Sequence, residues 1–195
     1  MITLFSKIIK SDVWALDKPL GGVMDTLSRK RDWVGEYFSV ATLEEDNDDS
    51  SIYYINARKV LFSEQEDAIK VQLDTCSFQN DTFIDSSEKR YLRSTELCQM
   101  TLFNDSQQKI AKIIDVLIDS RDWKLLYLVT TNIDKRRYPI LVPLSLIKSI
   151  DIVNYKVCTI LEVDILYRSP SFDPKKFAEW EHNILMQFYK FNTYS

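Results

Sequence analysis

One stretch of this chain occurs twice. Residues 22–39 and 112–129 align without a gap: Asp25 matches Asp115, Arg31-Asp32-Trp33 matches Arg121-Asp122-Trp123, and Tyr37 matches Tyr127, every pair 90 positions apart. Loops take up insertions and deletions before regular elements do. An ungapped match of this length therefore predicts one small structural unit used twice. The chain has 195 residues, so each unit would hold about 80–90, near the lower end of the domain range.

The period of the repeated stretch decides its secondary structure. Val23, Asp25 and Leu27 fall on one side of an extended chain, and Met24 and Thr26 on the other, which is strand periodicity. Arg29 to Asp32 reads as a polar turn, and Trp33 to Thr42 as the antiparallel partner, rich in aromatic and β-branched residues. Ile110 to Ile118 and Trp123 to Thr131 form the corresponding pair in the second copy. Further strands are predicted at Val13–Leu16, Ile52–Ile55, Ala68–Asp74, Gln99–Phe103, Tyr138–Val142 and Val157–Val163, with short helical turns at Ala57–Phe62 and Pro143–Ile147. Asp17 to Gly22 reads as a turn. Beyond Ser169-Pro170, Phe177, Trp180, Ile184, Leu185 and Phe188 recur at spacings of three and four, which marks an amphipathic helix. Asp173-Pro174 suits its start, and its apolar face is expected to dock on the β-structure. The fold class predicted is mainly β: two small antiparallel β-barrels in tandem, followed by a C-terminal amphipathic helix. The boundaries are 1–80 for the first barrel, 81–91 for a polar linker, 92–171 for the second barrel, and 172–195 for the helix and tail.

Composition narrows the partners. Hydrophobic residues at 45% and charged residues at 28% suit a globular protein. The formal net charge is −4, and the short basic runs Arg29-Lys30-Arg31 and Lys135-Arg136-Arg137 each have an acid beside them. A nucleic-acid binder normally shows a basic stripe, so DNA is excluded as a partner and RNA is disfavoured. Cys76, Cys98 and Cys158 are odd in number, form no Cys-x-x-Cys, and read as reduced thiols. No apolar run reaches the ~20 residues of a membrane helix, and charges interrupt the first residues too early for a secretion signal. The expected location is cytoplasmic, with no integral membrane segment.

Candidate chemistry is thin. Glu44 to Ser51 is acidic, but a calcium loop starting at Asp46 would need Gly where Ser51 stands; it reads as a solvated tip. The one histidine, His182, lies in Glu179-x-x-His182. Di-iron bundles need that motif twice, so the reading is a surface histidine with no special task. Asp25 and Asp115 could in principle form a carboxylate pair. A residue present in each copy more naturally serves each copy's fold, for instance by accepting backbone N–H bonds at a turn. The repeat positions Asp25, Trp33, Tyr37, Asp115, Trp123 and Tyr127 are accordingly assigned structural roles. Trp33 and Trp123 are each expected to fill the interior of their own unit. No catalytic residue, metal site or cofactor is predicted, and the chain is read as not an enzyme.

Both units resemble the PRC-barrel domain. The residues that carry the resemblance are Trp14, Ala15, Leu16, Asp17, Gly21, Gly22, Val23, Asp25 and Trp33 in the first unit. In the second they are Leu92 to Thr95, Ile113 to Asp115, Asp119, Trp123, Tyr127 to Val129, Val142-Pro143 and Ser169-Pro170. The pattern is most similar to bacterial proteins with two such barrels in tandem. Two departures stand out: Gln108 to Lys112 occupies the place of a turn glycine, and Ile55-Asn56 stands where the second unit has Val142-Pro143. The domain is shared by the photosynthetic reaction-centre H subunit and the bacterial ribosome maturation factor. The lack of a convincing catalytic set, together with the doubled barrel, points to a non-catalytic module for protein–protein interaction or scaffolding. The resemblance implies two alternatives: a peripheral accessory of an electron-transfer membrane complex, or a ribosome or RNA-processing assembly factor. An unidentified protein partner is expected, and a homo-oligomer is left open.

Overall fold

The computed structural model describes residues 1–9, 11–15, 18–42, 52–63, 68–71, 91–131 and 138–193. The acidic tip at 44–51, nearly all of the expected linker, the loop at 132–137 and Cys76 lie outside them. The chain is mainly β, with two sheets and a C-terminal helix.

The N-terminal sheet comprises β2 (Asp12–Ala15), β3 (Lys18–Arg29), β4 (Gly35–Thr42), β5 (Ile52–Asn56), β6 (Val60–Ser63), β7 (Ala68–Val71) and β8 (Tyr91–Arg93). Its strand order is β5-β4-β3-β2-β7-β6, with β8 added alongside β3. The C-terminal sheet comprises β1 (Ile2–Leu4), β9 (Thr101–Phe103), β10 (Lys109–Asp119), β11 (Lys124–Thr130), β12 (Leu141–Pro143), β13 (Ile147–Asp151) and β14 (Lys156–Thr159). Its order is β12-β11-β10-β9-β14-β13, with β1 alongside β10. The two orders correspond strand for strand, including, among the described residues, one parallel pair in each, β2 with β7 and β9 with β14. Neither sheet closes on itself among the described residues. Short helices are α1 (Phe5–Ile8), α2 (Ser94–Leu97) and α3 (Val163–Arg168), and the long one is α4 (Glu179–Thr193).

Two compact units result, and neither is continuous in sequence. The N-terminal unit holds Phe5–Thr95 together with Ser120–Lys124; the C-terminal unit holds Met1–Leu4, Glu96–Asp119 and Leu125–Ser195. The reason lies in strand pairing. β8 is laid antiparallel on β3, with Leu27 opposite Arg93, and β1 on β10, with Leu117 opposite Leu4. Residues 91–95, expected at the linker's end and the opening of the second unit, thus complete the N-terminal one.

The central strands follow the period read from the sequence at one end and depart from it at the other. Val23 and Asp25 are buried while Met24 is exposed; Ile113 and Asp115 are buried while Ile114 is exposed. From Thr26 to Ser28 and from Val116 to Asp119 every residue is buried, since β8 and β1 add a second neighbour there. Of the predicted turn at 17–22, residues 18–22 are instead the beginning of β3, and Asp17 lies outside the described residues. Pro19, Gly21 and Gly22 all pair with β2, with an irregularity between Val13 and Trp14 and a φ of 148° at Gly21, a conformation that favours glycine.

Elsewhere the boundaries moved. β13 and α3 are not foreseen by the sequence reading, which places Ile147 in a helical turn and Val163 in a closing strand. In α4 the first helical residue is Glu179, not one near Pro174. Asp173 Oδ1 accepts the Lys175 N–H in a turn of its own, and Glu181 Oε2 accepts the Ala178 N–H at the helix start, half of a capping box.

Candidate functional site

The repeated aspartates are spent on backbone. Asp25 Oδ1 accepts the N–H of Thr26 at 2.8 Å and that of Thr95 at 3.2 Å, and Oδ2 accepts the Thr95 hydroxyl. Beside it, Thr26 and Ser94 share a hydroxyl–hydroxyl bond of 2.6 Å. Burial pushes the Asp25 carboxyl above the ordinary value of 3.8, while the bonds from Thr95 and Thr26 pull the other way. Asp115 Oδ1 accepts the Val116 N–H at 2.8 Å, the same geometry one repeat later. The carboxylates belong to different compact units, and each is buried in its own.

Trp33 and Trp123 do not begin strands. Both sit in the turn with left-handed backbone, φ 63° and 58°, which is uncommon for a bulky residue. The preceding aspartate explains it. Asp122 Oδ1 accepts the Lys124 N–H at 3.1 Å and Asp32 Oδ1 the Val34 N–H at 3.4 Å, so each side chain closes an Asx-type turn around the tryptophan. The left-handed conformation costs about 1–2 kcal/mol and re-aims the ring. Trp123 is only 5% exposed. Its ring meets Phe38 edge-on at 4.6 Å, and its indole N–H donates to the Val60 carbonyl at 3.4 Å. The N-terminal unit, not the C-terminal one, contains this ring. Trp33 is half-buried. The expectation of one tryptophan filling each unit's own interior is therefore corrected: the turn, not the strand, governs where the ring goes.

Around this turn lies a groove of about 740 Å³, floored by Val60, Phe62 and Trp123 and rimmed by Arg29, Glu36 and Arg58. The rim charges offset one another, since Arg29 pairs with Asp32 at 2.9 Å and reaches toward Glu36 at 3.9 Å. Its lining holds one hydroxyl, Ser120, and two carboxylates, Glu36 and Asp122.

The tyrosines part company. Tyr37 packs with Leu27 and Tyr54 and meets Tyr91 edge-on at 5.7 Å. Tyr91 is pushed up to about 12, first by burial and then by Glu36. Tyr127 is fully buried, and its hydroxyl lies 2.9 Å from His182 Nδ1, with the two rings in edge contact. Burial holds the Tyr127 phenol well above its usual range. His182 is thus a half-buried tie between α4 and β11, which corrects its reading as a surface residue without a task.

The register also shows how the difference between Ile55-Asn56 in the first copy and Val142-Pro143 in the second is absorbed. Tyr37 pairs with Asn56 and Tyr127 with Pro143, and each partner precedes a single 3₁₀ turn. Asn56 caps its turn by accepting the Arg58 N–H at 3.0 Å, whereas Pro143 relies on its fixed φ.

Among the described residues no three His, Cys, Asp or Glu side chains gather as metal ligands, and no helix is long and apolar enough to cross a membrane. Comparison with protein-family models gives no match, and comparison with curated proteins gives none.

What the sequence reading missed is the outer face of α4. Leu185 and Tyr189 turn inward, and the Tyr189 hydroxyl donates to the Leu141 carbonyl at 2.9 Å. Trp180 and Ile184, expected to dock, point outward with exposures of 61% and 43%, joined by Phe191 at 74%. The signal was present in the sequence: positions 180, 184, 187 and 191 step by four, three and four.

Proposed function

We propose that this chain is a non-catalytic interaction module of two PRC-barrel-like units, and that the outer face of α4 is its principal docking surface. The observation that carries the reading is the second apolar face of that helix. Leu185 and Tyr189 already dock it, yet Trp180, Ile184 and Phe191 form a stripe on the opposite side. A helix apolar on both sides is normally covered on both, and exposed aromatic patches mark interaction sites. The matching strand orders, the repeated Asx-type turn and the equivalent pairing of Tyr37 and Tyr127 support the tandem-barrel reading. The repeated carboxylates hold backbone, which suits structural work.

The test pairs wild type with Trp180→Lys/Phe191→Lys. Association with a macromolecule that depends on the stripe is expected. Turnover of a small molecule by the purified chain, unchanged by the double substitution and with no stripe-dependent association, would defeat the reading.

A further inference from the structure

We infer that the occupant of the α4 stripe is a second copy of the same helix, packed antiparallel about a two-fold axis. The inference rests on the docking surface proposed above and names its partner. At 1.5 Å per residue, α4 spans about 22 Å. Trp180, Ile184, Gln187 and Phe191 step by four, three and four, the spacing of a two-helix seam. The seam is apolar at its ends and polar only at Gln187.

Charge selects the partner and its direction. Glu179 and Lys190 are both exposed. They are eleven residues apart, which is about 20° from three whole turns, so they stand on the same flank of the stripe near opposite ends. When two copies meet antiparallel with Ile184 near Gln187 of the other, Trp180 lies over the second copy's Phe191. Glu179 then faces the second copy's Lys190, and symmetry makes the pair twice. In a parallel two-fold pair the flank carrying Glu179 and Lys190 would fall on opposite sides of the seam in the two copies, so neither charge would meet a partner. Antiparallel axes also set opposite helix dipoles side by side. The surface thus complements itself, the condition for an isologous interface.

One stripe on one helix is smaller than the roughly 800 Å² per partner of a standard interface. The dimer is therefore a reversible one, with a dissociation constant on the order of 10–100 µM.

Sedimentation equilibrium over a concentration series tests this, with circular dichroism confirming that each variant folds. The wild type should pass from monomer to dimer. Trp180→Lys/Phe191→Lys should raise the dissociation constant by about tenfold or more. Lys190→Glu, a solvent-exposed change, should raise it by about three- to tenfold at low salt, and Glu179→Lys/Lys190→Glu should restore it. A wild type that remains monomeric well above the expected constant overturns the homodimer, as does one that binds anionic lipid vesicles as a monomer through the stripe. A dimer indifferent to Trp180→Lys/Phe191→Lys overturns the interface, and failure of the charge swap to restore association overturns its antiparallel sense. A monomer that captures a different macromolecule through Trp180 and Phe191 overturns the homodimer alone, leaving the docking surface in place. If replacing the stripe changes no association at all, both readings fall.

Discussion

The N–H of Gly35 donates to the carbonyl of Trp123 at 2.8 Å. A β-carbon on Gly35 would stand 2.9 Å from that oxygen and 3.2 Å from the Trp123 β-carbon. Both atoms that block it are fixed by the left-handed turn, so the neighbour has little freedom to give. Gly35→Ala should destabilise the protein by about 1–3 kcal/mol, the cost of forcing volume into a packed place. A lower urea midpoint with an unchanged slope would show it; an unchanged midpoint would mean that the turn yields.

Asp25 predicts a pair of contrasting substitutions. Asp25→Ala strands the buried N–H of Thr26 and two half-buried donors, the Thr95 N–H and hydroxyl, and should cost about 2–4 kcal/mol. Asp25→Asn keeps an acceptor and should cost less. The pH dependence has a definite sign. Burial raises the folded-state value above 3.8, so the charged form is the one that folding disfavours. This group's contribution to stability is fully present below the unfolded value and is lost as pH rises through the folded one. Asp25→Asn should flatten that part of the stability–pH curve, read as urea midpoints between about pH 4 and 7.

The bond between Tyr127 and His182 is testable from both ends. Tyr127→Phe removes the hydroxyl and should cost about 1 kcal/mol. His182→Ala leaves that hydroxyl buried without this partner and should cost more. In an alkaline titration followed by tyrosinate absorbance, Tyr127 should stay silent through the ordinary range near 10. Its folded value is raised, so its stabilising contribution is lost only as pH climbs above the usual phenol value. Tyrosinate absorbance near pH 10 that Tyr127→Phe lowers in the folded protein would contradict this.

Tryptophan emission separates the two faces described above. Trp123 is enclosed and Trp180 is 61% exposed. At concentrations where the chain is monomeric, acrylamide should quench Trp180 strongly and Trp123 weakly. Single replacements by Phe would show it, with Trp180→Phe shifting the remaining emission to the blue. Equal quenching of both would be inconsistent with their burial.

How much was legible beforehand depends on what a local pattern can carry. The duplication was legible because Asp25, Trp33 and Tyr37 recur with their spacing intact. The strand periods of Val23 to Leu27 and Ile113 to Leu117 gave the two central strands for the same reason. The β13 strand, Ile147 to Asp151, has no alternation of large apolar residues, and it was lost in the turn before it. The orientation of Trp123 was not legible, because a positive φ depends on the hydrogen bond from Lys124 to Asp122 and not on the tryptophan itself. Both faces of α4 were written in its spacing. Reading it as a single amphipathic face merged Trp180 and Ile184 with Leu185, although a helix turns about 100° between neighbouring positions.

The assignment of residues to the compact units has a consequence for synthesis. Ser120–Lys124 belongs with Phe5–Thr95, and Met1–Leu4 belongs with a body that begins again at Glu96. The ribosome releases the first four residues long before their sheet exists, and it must deliver residue 124 before the earlier body is whole. Nascent chains halted near residue 90 should remain protease-sensitive, and severing the gene between the two repeats should yield two fragments that each lack a piece encoded in the other.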